Sequence, residues 1–143
     1  MVLGKNLNAT LFSLEHRFYG ESQPFNNSEG GWSVENLKWL NTTNALADIA
    51  YFIEEMNKSQ SISSSKWVVI GGSYPGGMAA EFRHLYPDHA AAAWSSSGTV
   101  LSKEYYNEYD MSIYLSAKQS GNDCPKKFAM VVADIERILL YGN

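Results

Sequence analysis

The residues best placed to do chemistry lie in Val68 to Arg83, Val-Val-Ile-Gly-Gly-Ser-Tyr-Pro-Gly-Gly-Met-Ala-Ala-Glu-Phe-Arg. A short run of β-forming apolar residues meets Gly71-Gly72-Ser73-Tyr74, and a helix-forming stretch starts at once. This is the sequence context of a nucleophile elbow. A serine on so tight a turn needs small neighbours, and its hydroxyl is then held above the end of a strand. The N–H of the next residue, Tyr74, would face a developing oxyanion, aided by the positive end of the helix dipole. The usual Gly-x-Ser-x-Gly pattern has glycine at position 75, where this chain has Pro75, followed by Gly76 and Gly77. Proline suits a first helical turn, whose N–H groups have no intrahelical partner, and it leaves the Tyr74 N–H intact. It also biases Tyr74 away from the α region. A glycine-rich turn carrying a surface serine fits the same local pattern, so both readings stand at this level.

A nucleophilic serine needs a base within hydrogen-bond reach. The histidines are His16, His84 and His89. His84 lies along the expected helix, about 16 Å from Ser73 at 1.5 Å rise per residue, and His89 lies farther on. Both read as part of a solvated helix face and its exit loop, and His16 precedes the serine. None reads as the base. Glu54-Glu55 and Asp134 with Glu136 are carboxylate pairs without a clustered partner, which reads as solvated surface rather than metal or glycosidase chemistry. Cys124 has no base placed for it and no cysteine to pair with inside the chain. Asn8, Asn26, Asn41 and Asn57 each open a glycosylation triplet, a pattern that lends modest support to a secretory route. Tyr105, Tyr106, Tyr109 and Tyr114 crowd one stretch and read either as groove lining or, preferentially, as helix packing.

The elements that must position Ser73 follow from pattern. Thr10 to Leu14 reads as a buried strand, Lys66 to Ile70 as a second ended by Gly71-Gly72, and Ala90 to Trp94 as a third broken by Ser95 to Gly98. Gly20 to Gly31 is rich in Gly, Ser, Asn and Pro and reads as a long loop, and Ser59 to Ser65 as a short linker. Asn41, Thr42 or Thr43 caps a helix in which Leu46, Ile49, Ile53 and Met56 recur at spacings of three and four. A second helix runs from about Pro75 to Tyr86, stopped by Pro87, and a third covers Phe128 to Leu140. Strand, helix, strand, helix, strand predicts an α/β fold: a parallel sheet with right-handed crossovers and strands buried on both faces, then a mostly helical appendage.

Composition narrows the classes. The 143 residues, 45% hydrophobic and 18% charged, suit one globular unit. With 11 Lys and Arg against 15 Asp and Glu, there is no basic surplus for a nucleic-acid groove. No apolar run, Ala90 to Trp94 included, is long enough to span a bilayer, and Gly4, Lys5 and Asn6 interrupt any leader-like core. One cysteine excludes an internal disulfide and a cysteine-built zinc site.

Taken together, Glu15-His16-Arg17-Phe18-Tyr19-Gly20-Glu21-Ser22, Ala45-Leu46-Ala47-Asp48 and Gly71 to Arg83 resemble the serine exopeptidases that include Pro-Xaa carboxypeptidase, dipeptidyl peptidase II and thymus-specific serine protease. The resemblance covers most of residues 9 to 100. It implies a partial α/β-hydrolase core with a nucleophile elbow over 1–100 and the start of a helical cap domain over 101–143. It implies a peptide substrate, cleavage beside proline or small residues, a lysosomal or secreted setting, and a homodimer as the assembly considered for the complete enzyme. Carried over by position, Ser73 is the nucleophile and Tyr74 gives one backbone N–H of the oxyanion hole; no metal or organic cofactor is required. The loop Glu15 to Ser22 is expected to shape the site and is assigned no chemical step. The family's triad Asp and His lie beyond position 143 and its glycine-rich oxyanion loop precedes this segment, so the chain is expected to be a central piece, inactive alone. Two other readings are an esterase or lipase sharing the elbow, and a non-catalytic binding or regulatory fragment.

Overall fold

A computed structural model describes residues 2–25, 31–60 and 65–142. The chain forms two compact units, Met1–Val100 and Leu101–Asn143. The first contains helices α1 (Val2–Asn6), α2 (Val34–Leu37) and α3 (Thr42–Ser59), strand β1 (Val68–Gly72), helix α4 (Tyr74–Leu85) and strand β2 (Ala92–Ser96).

Helix α3 starts where its caps require. Asn41 is extended (φ −146°, ψ 161°) and its side-chain oxygen accepts the Asn44 N–H at 2.9 Å, filling one of the bonds that a helix start leaves open. Ala45, Leu46, Ala50 and Ile53 form its buried stripe, while Ile49 packs at the margin. They meet Met78 and Phe82 of α4, together with Ala90, Trp67 and Val69. Leu46 and Phe82 are fully enclosed, and burial of side chains this size contributes about 1.5–3 kcal/mol each. Trp67 adds a polar tie, its indole N–H donating to Asn57 Oδ1 at 2.8 Å.

The two strands pair in parallel, Val68 opposite Ala92 through Gly72 opposite Ser96. Each runs two residues later than the pattern predicts. Gly71-Gly72 and Ser95-Ser96 read as breakers, yet they pair with one another and complete the ladder. Thr10 to Leu14 forms no strand. It lacks a ladder partner among the described residues, and packing fixes it instead: Phe12 lies 5.6 Å from Phe52 and 5.3 Å from Trp67, ring centre to ring centre. Burial on both sheet faces is also overturned. Val69 packs on the core, whereas Val68, Ile70 and Trp94 are about half exposed, because no layer covers their side of the two-stranded sheet among the described residues.

The second unit is a helix pair, α5 (Asn107–Gln119) and α6 (Cys124–Tyr141). Helix α6 begins four residues before the predicted Phe128, with Pro125 in its first turn, and ends at Gly142 in the left-handed conformation (φ 70°). The four tyrosines of residues 105–114 remain exposed rather than packing the helices. Among the described residues no helix is long and apolar enough to cross a membrane.

Candidate active site

Ser73 stands between the last residue of β1 and the first of α4. Its backbone has φ 59° and ψ −124°, a region that glycine enters freely and a side chain enters only under strain. Three backbone hydrogen bonds hold it there. The Ser73 N–H donates to the Ser96 carbonyl at 2.9 Å, and the Ser73 carbonyl accepts from Gly77 at 3.1 Å and Thr99 at 3.4 Å. The side chain is exposed and caps no backbone N–H. No hydrogen bond of the Tyr74 N–H is found among the described residues, as befits a first-turn amide.

The glycines around the turn are required by space. A Cβ on Gly71 would run into the Pro75 carbonyl. One on Gly76 would lie 2.8 Å from the Ser96 oxygen and 2.9 Å from Gly98 Cα, and one on Gly77 would lie 2.8 Å from the Thr99 oxygen. The first turn of α4 is therefore pressed against the residues leaving β2. Pro75 occupies the first turn without displacing this contact.

The loop Glu15 to Ser22 reaches the same turn. Glu15 accepts the Ser22 N–H at 2.8 Å, and hydrogen bonding from Ser22 holds its carboxyl below the ordinary value. Phe18, at φ 69°, is almost wholly enclosed, with Trp32 5.7 Å away. Gly20 sits at φ 52° with the Glu15 carboxylate where a Cβ would be. Arg17 makes two parallel bonds to Asp48, Nε to Oδ2 and Nη2 to Oδ1, both 2.6 Å, and a third from Nη1 to the Trp39 carbonyl at 3.1 Å. The fork geometry of arginine matches a carboxylate in this way. His16 then spans to the serine turn, with Nε2 3.0 Å from the Tyr74 hydroxyl. Burial, then the Tyr19 and Glu81 charges, push the Tyr74 phenol above its ordinary value, which keeps it a donor. The three sequence motifs thus meet: loop 15–22, Asp48 on α3 and Tyr74 beside Ser73.

His16, His84 and His89 behave differently from one another. His16 bonds the phenol of Tyr74. His84 is exposed on α4. His89 is half-buried rather than solvated, pairing Nε2 with Glu54 Oε1 at 3.0 Å and so tying the exit of α4 to α3; this contact and the Arg17–Asp48 fork leave no local pattern in the sequence. Glu55 pairs with Lys58, and Asp134 with Arg137, as exposed helix neighbours. Cys124 is a free thiol. Asn41 and Asn57 are used as a helix cap and as the Trp67 acceptor, Asn8 lies in a turn at φ 49°, and Asn26 falls outside the described residues. No group of three or more His, Cys, Asp or Glu that could hold a metal ion is found among the described residues. A cavity of about 940 Å³ is lined by residues of the segment 12–19, α3, β1 and the start of α4, Tyr74 and Pro75 among them.

A parallel strand pair bridged by a helix, with an exposed serine at positive φ on the first strand-to-helix turn, defines an α/β protein with a candidate serine site. The sequence matches the family profile of serine carboxypeptidase S28 over residues 1–143. A Caenorhabditis elegans protein with a serine-protease name is 41% identical over 136 residues, 95% of this chain and 24% of its own length. The thymus-specific serine protease of Homo sapiens is 34% identical over 140 residues, 94% of this chain and 26% of its own. A Caenorhabditis elegans prolyl carboxy peptidase like protein is 37% identical over 101 residues, 69% of this chain and 20% of its own. The chain belongs to the serine carboxypeptidase S28 family. It spans about a quarter of the length of the curated relatives it matches.

Proposed function

We propose that this chain carries the nucleophilic part of a serine exopeptidase of the α/β-hydrolase type, with Ser73 as nucleophile and residues 101–143 as the start of a helical cap. The Ser73 hydroxyl attacks the scissile carbonyl carbon, and its proton passes to a histidine supplied from outside these 143 residues. The carbonyl oxygen becomes an oxyanion that accepts from the Tyr74 N–H and from a second donor outside the chain. Collapse of the tetrahedral species breaks the C–N bond, and the histidine returns its proton to the leaving amine. Water, deprotonated by the same base, then releases the acyl group and restores the serine.

The observation that carries this reading is the Ser73 backbone, φ 59° and ψ −124°, on an exposed strand-to-helix turn. Strain of this kind costs about 1–3 kcal/mol and gathers at functional sites. The open Tyr74 N–H supports the same reading. The name of the prolyl carboxy peptidase like relative favours peptides with proline near the cleaved bond, and a lysosomal or secreted setting goes with that substrate class.

The test is covalent labelling by a fluorophosphonate. The 143-residue chain, in which no base is placed for Ser73 among the described residues, is expected to stay unlabelled. A polypeptide extended by the sequence flanking it in the genome is expected to label, and Ser73→Ala to remove the label. Labelling that survives Ser73→Ala overturns the assignment.

A further inference from the structure

We infer that His16 is a positioning residue for the serine turn: its imidazole holds the Tyr74 phenol and, through that side chain, the orientation of the Tyr74 amide. The inference rests on the reading of Ser73 as nucleophile and adds a residue to that site.

The hydrogen bonds of His16 fix its tautomer. Nδ1 lies 2.8 Å from the Arg17 carbonyl, which can only accept, so Nδ1 carries the proton. In the neutral ring Nε2 then keeps its lone pair and accepts from the Tyr74 hydroxyl at 3.0 Å. The ring is also packed, edge-on to Tyr19 at 5.3 Å and tilted against Tyr74 at 5.7 Å. Its lone pair is thus occupied by a phenol rather than available to the Ser73 hydroxyl. Behind it, the arginine whose carbonyl orients the ring is itself clamped on Asp48 of α3 and on the Trp39 carbonyl. A continuous line of contacts runs from the core helix α3 through Arg17 and His16 to the residue after Ser73.

That residue is where external support matters. Ser73 occupies a strained conformation, and Pro75 disfavours the helical conformation that Tyr74 must adopt as the first residue of α4. Local preference therefore opposes the turn from both sides, and contacts from elsewhere must hold it. An oxyanion donor works only when aimed within a few tenths of an ångström of the developing charge, and a misplacement of about 1 Å costs about 100-fold in rate. Loss of the His16 contact should therefore weaken the transition state rather than substrate binding.

In the extended polypeptide, with a short proline-containing peptide as substrate, His16→Leu and Tyr74→Phe are each expected to lower kcat about 10- to 100-fold with KM little changed. The double variant should fall no further than either single one, because the two groups act through one bond. His16→Gln, whose amide oxygen can accept from the phenol, should recover most of the loss. Tyr74→Phe removes only a hydroxyl and carries the test if His16→Leu fails to fold. Unchanged kcat in Tyr74→Phe, or additive losses in the double variant, overturns the positioning role while leaving Ser73 in place. Activity that persists in Ser73→Ala overturns the nucleophile reading instead, so the two failures are told apart.

Discussion

A serine side chain at φ 59° is held against its own preference. Glycine has no such preference, so Ser73→Gly is expected to stabilise the chain by about 1 kcal/mol, whereas Ser73→Ala keeps the strain and changes stability little. Urea denaturation measures both; equal midpoints for the two variants would contradict the strain. Glu15 gives a second check at this scale. Hydrogen bonding from Ser22 sets its folded pKa below the ordinary 4.5. Its contribution is therefore fully present above that value and is lost as pH falls through the lower folded one. Protection of the Ser22 amide, taken relative to its intrinsic exchange rate at each pH, should fall in acid through that range, and Glu15→Gln should abolish this pH dependence; an unaltered acid response in the variant would contradict it. Ser73 and Tyr74 were legible as candidates because strand, serine and helix are consecutive. The bond from His16 to Tyr74 was not, since 58 residues separate its partners and no local pattern encodes a tertiary hydrogen bond.

Among the elements, the β1–α4–β2 unit depends on glycines that a pattern reader takes for breaks. Gly71 lies inside β1, and its missing side chain is where the Pro75 carbonyl packs. Gly71→Ala is expected to push α4 off the end of the strand and to destabilise the chain by about 1–3 kcal/mol. Gly72→Ala, whose nearest contact would be the Ser96 oxygen at 3.8 Å, should be far milder. Thermal melts of the pair test this, and equal losses would refute the packing argument. Much of helix α3 was readable because its cap and its stripe are both local: Asn41, one of three candidate caps, precedes Leu46 and Ile53 at helical spacing, whereas the buried Ala45 and Ala50 are too small to stand out and Met56 is not in the buried stripe. The strand ends were not, because pairing between Gly71-Gly72 and Ser95-Ser96 decides them. For Thr10 to Leu14 the β-forming composition was present but a ladder partner was not, and composition alone cannot supply one.

At the level of the whole molecule, the α/β class was legible from the order of strands and helices, and the family from three motifs that the fold brings together. Burial was not: Val68, Ile70 and Trp94 have the composition of a core strand and yet are half exposed, since what covers a sheet face depends on which layers pack on it. The central claim, that a single hydroxyl at residue 73 does the covalent chemistry, is tested most directly by mass spectrometry of the extended polypeptide after fluorophosphonate treatment. The predicted result is one adduct on the peptide containing Ser73, absent in Ser73→Ala. An adduct on another residue, or a folded extended protein that takes up no label, would contradict it.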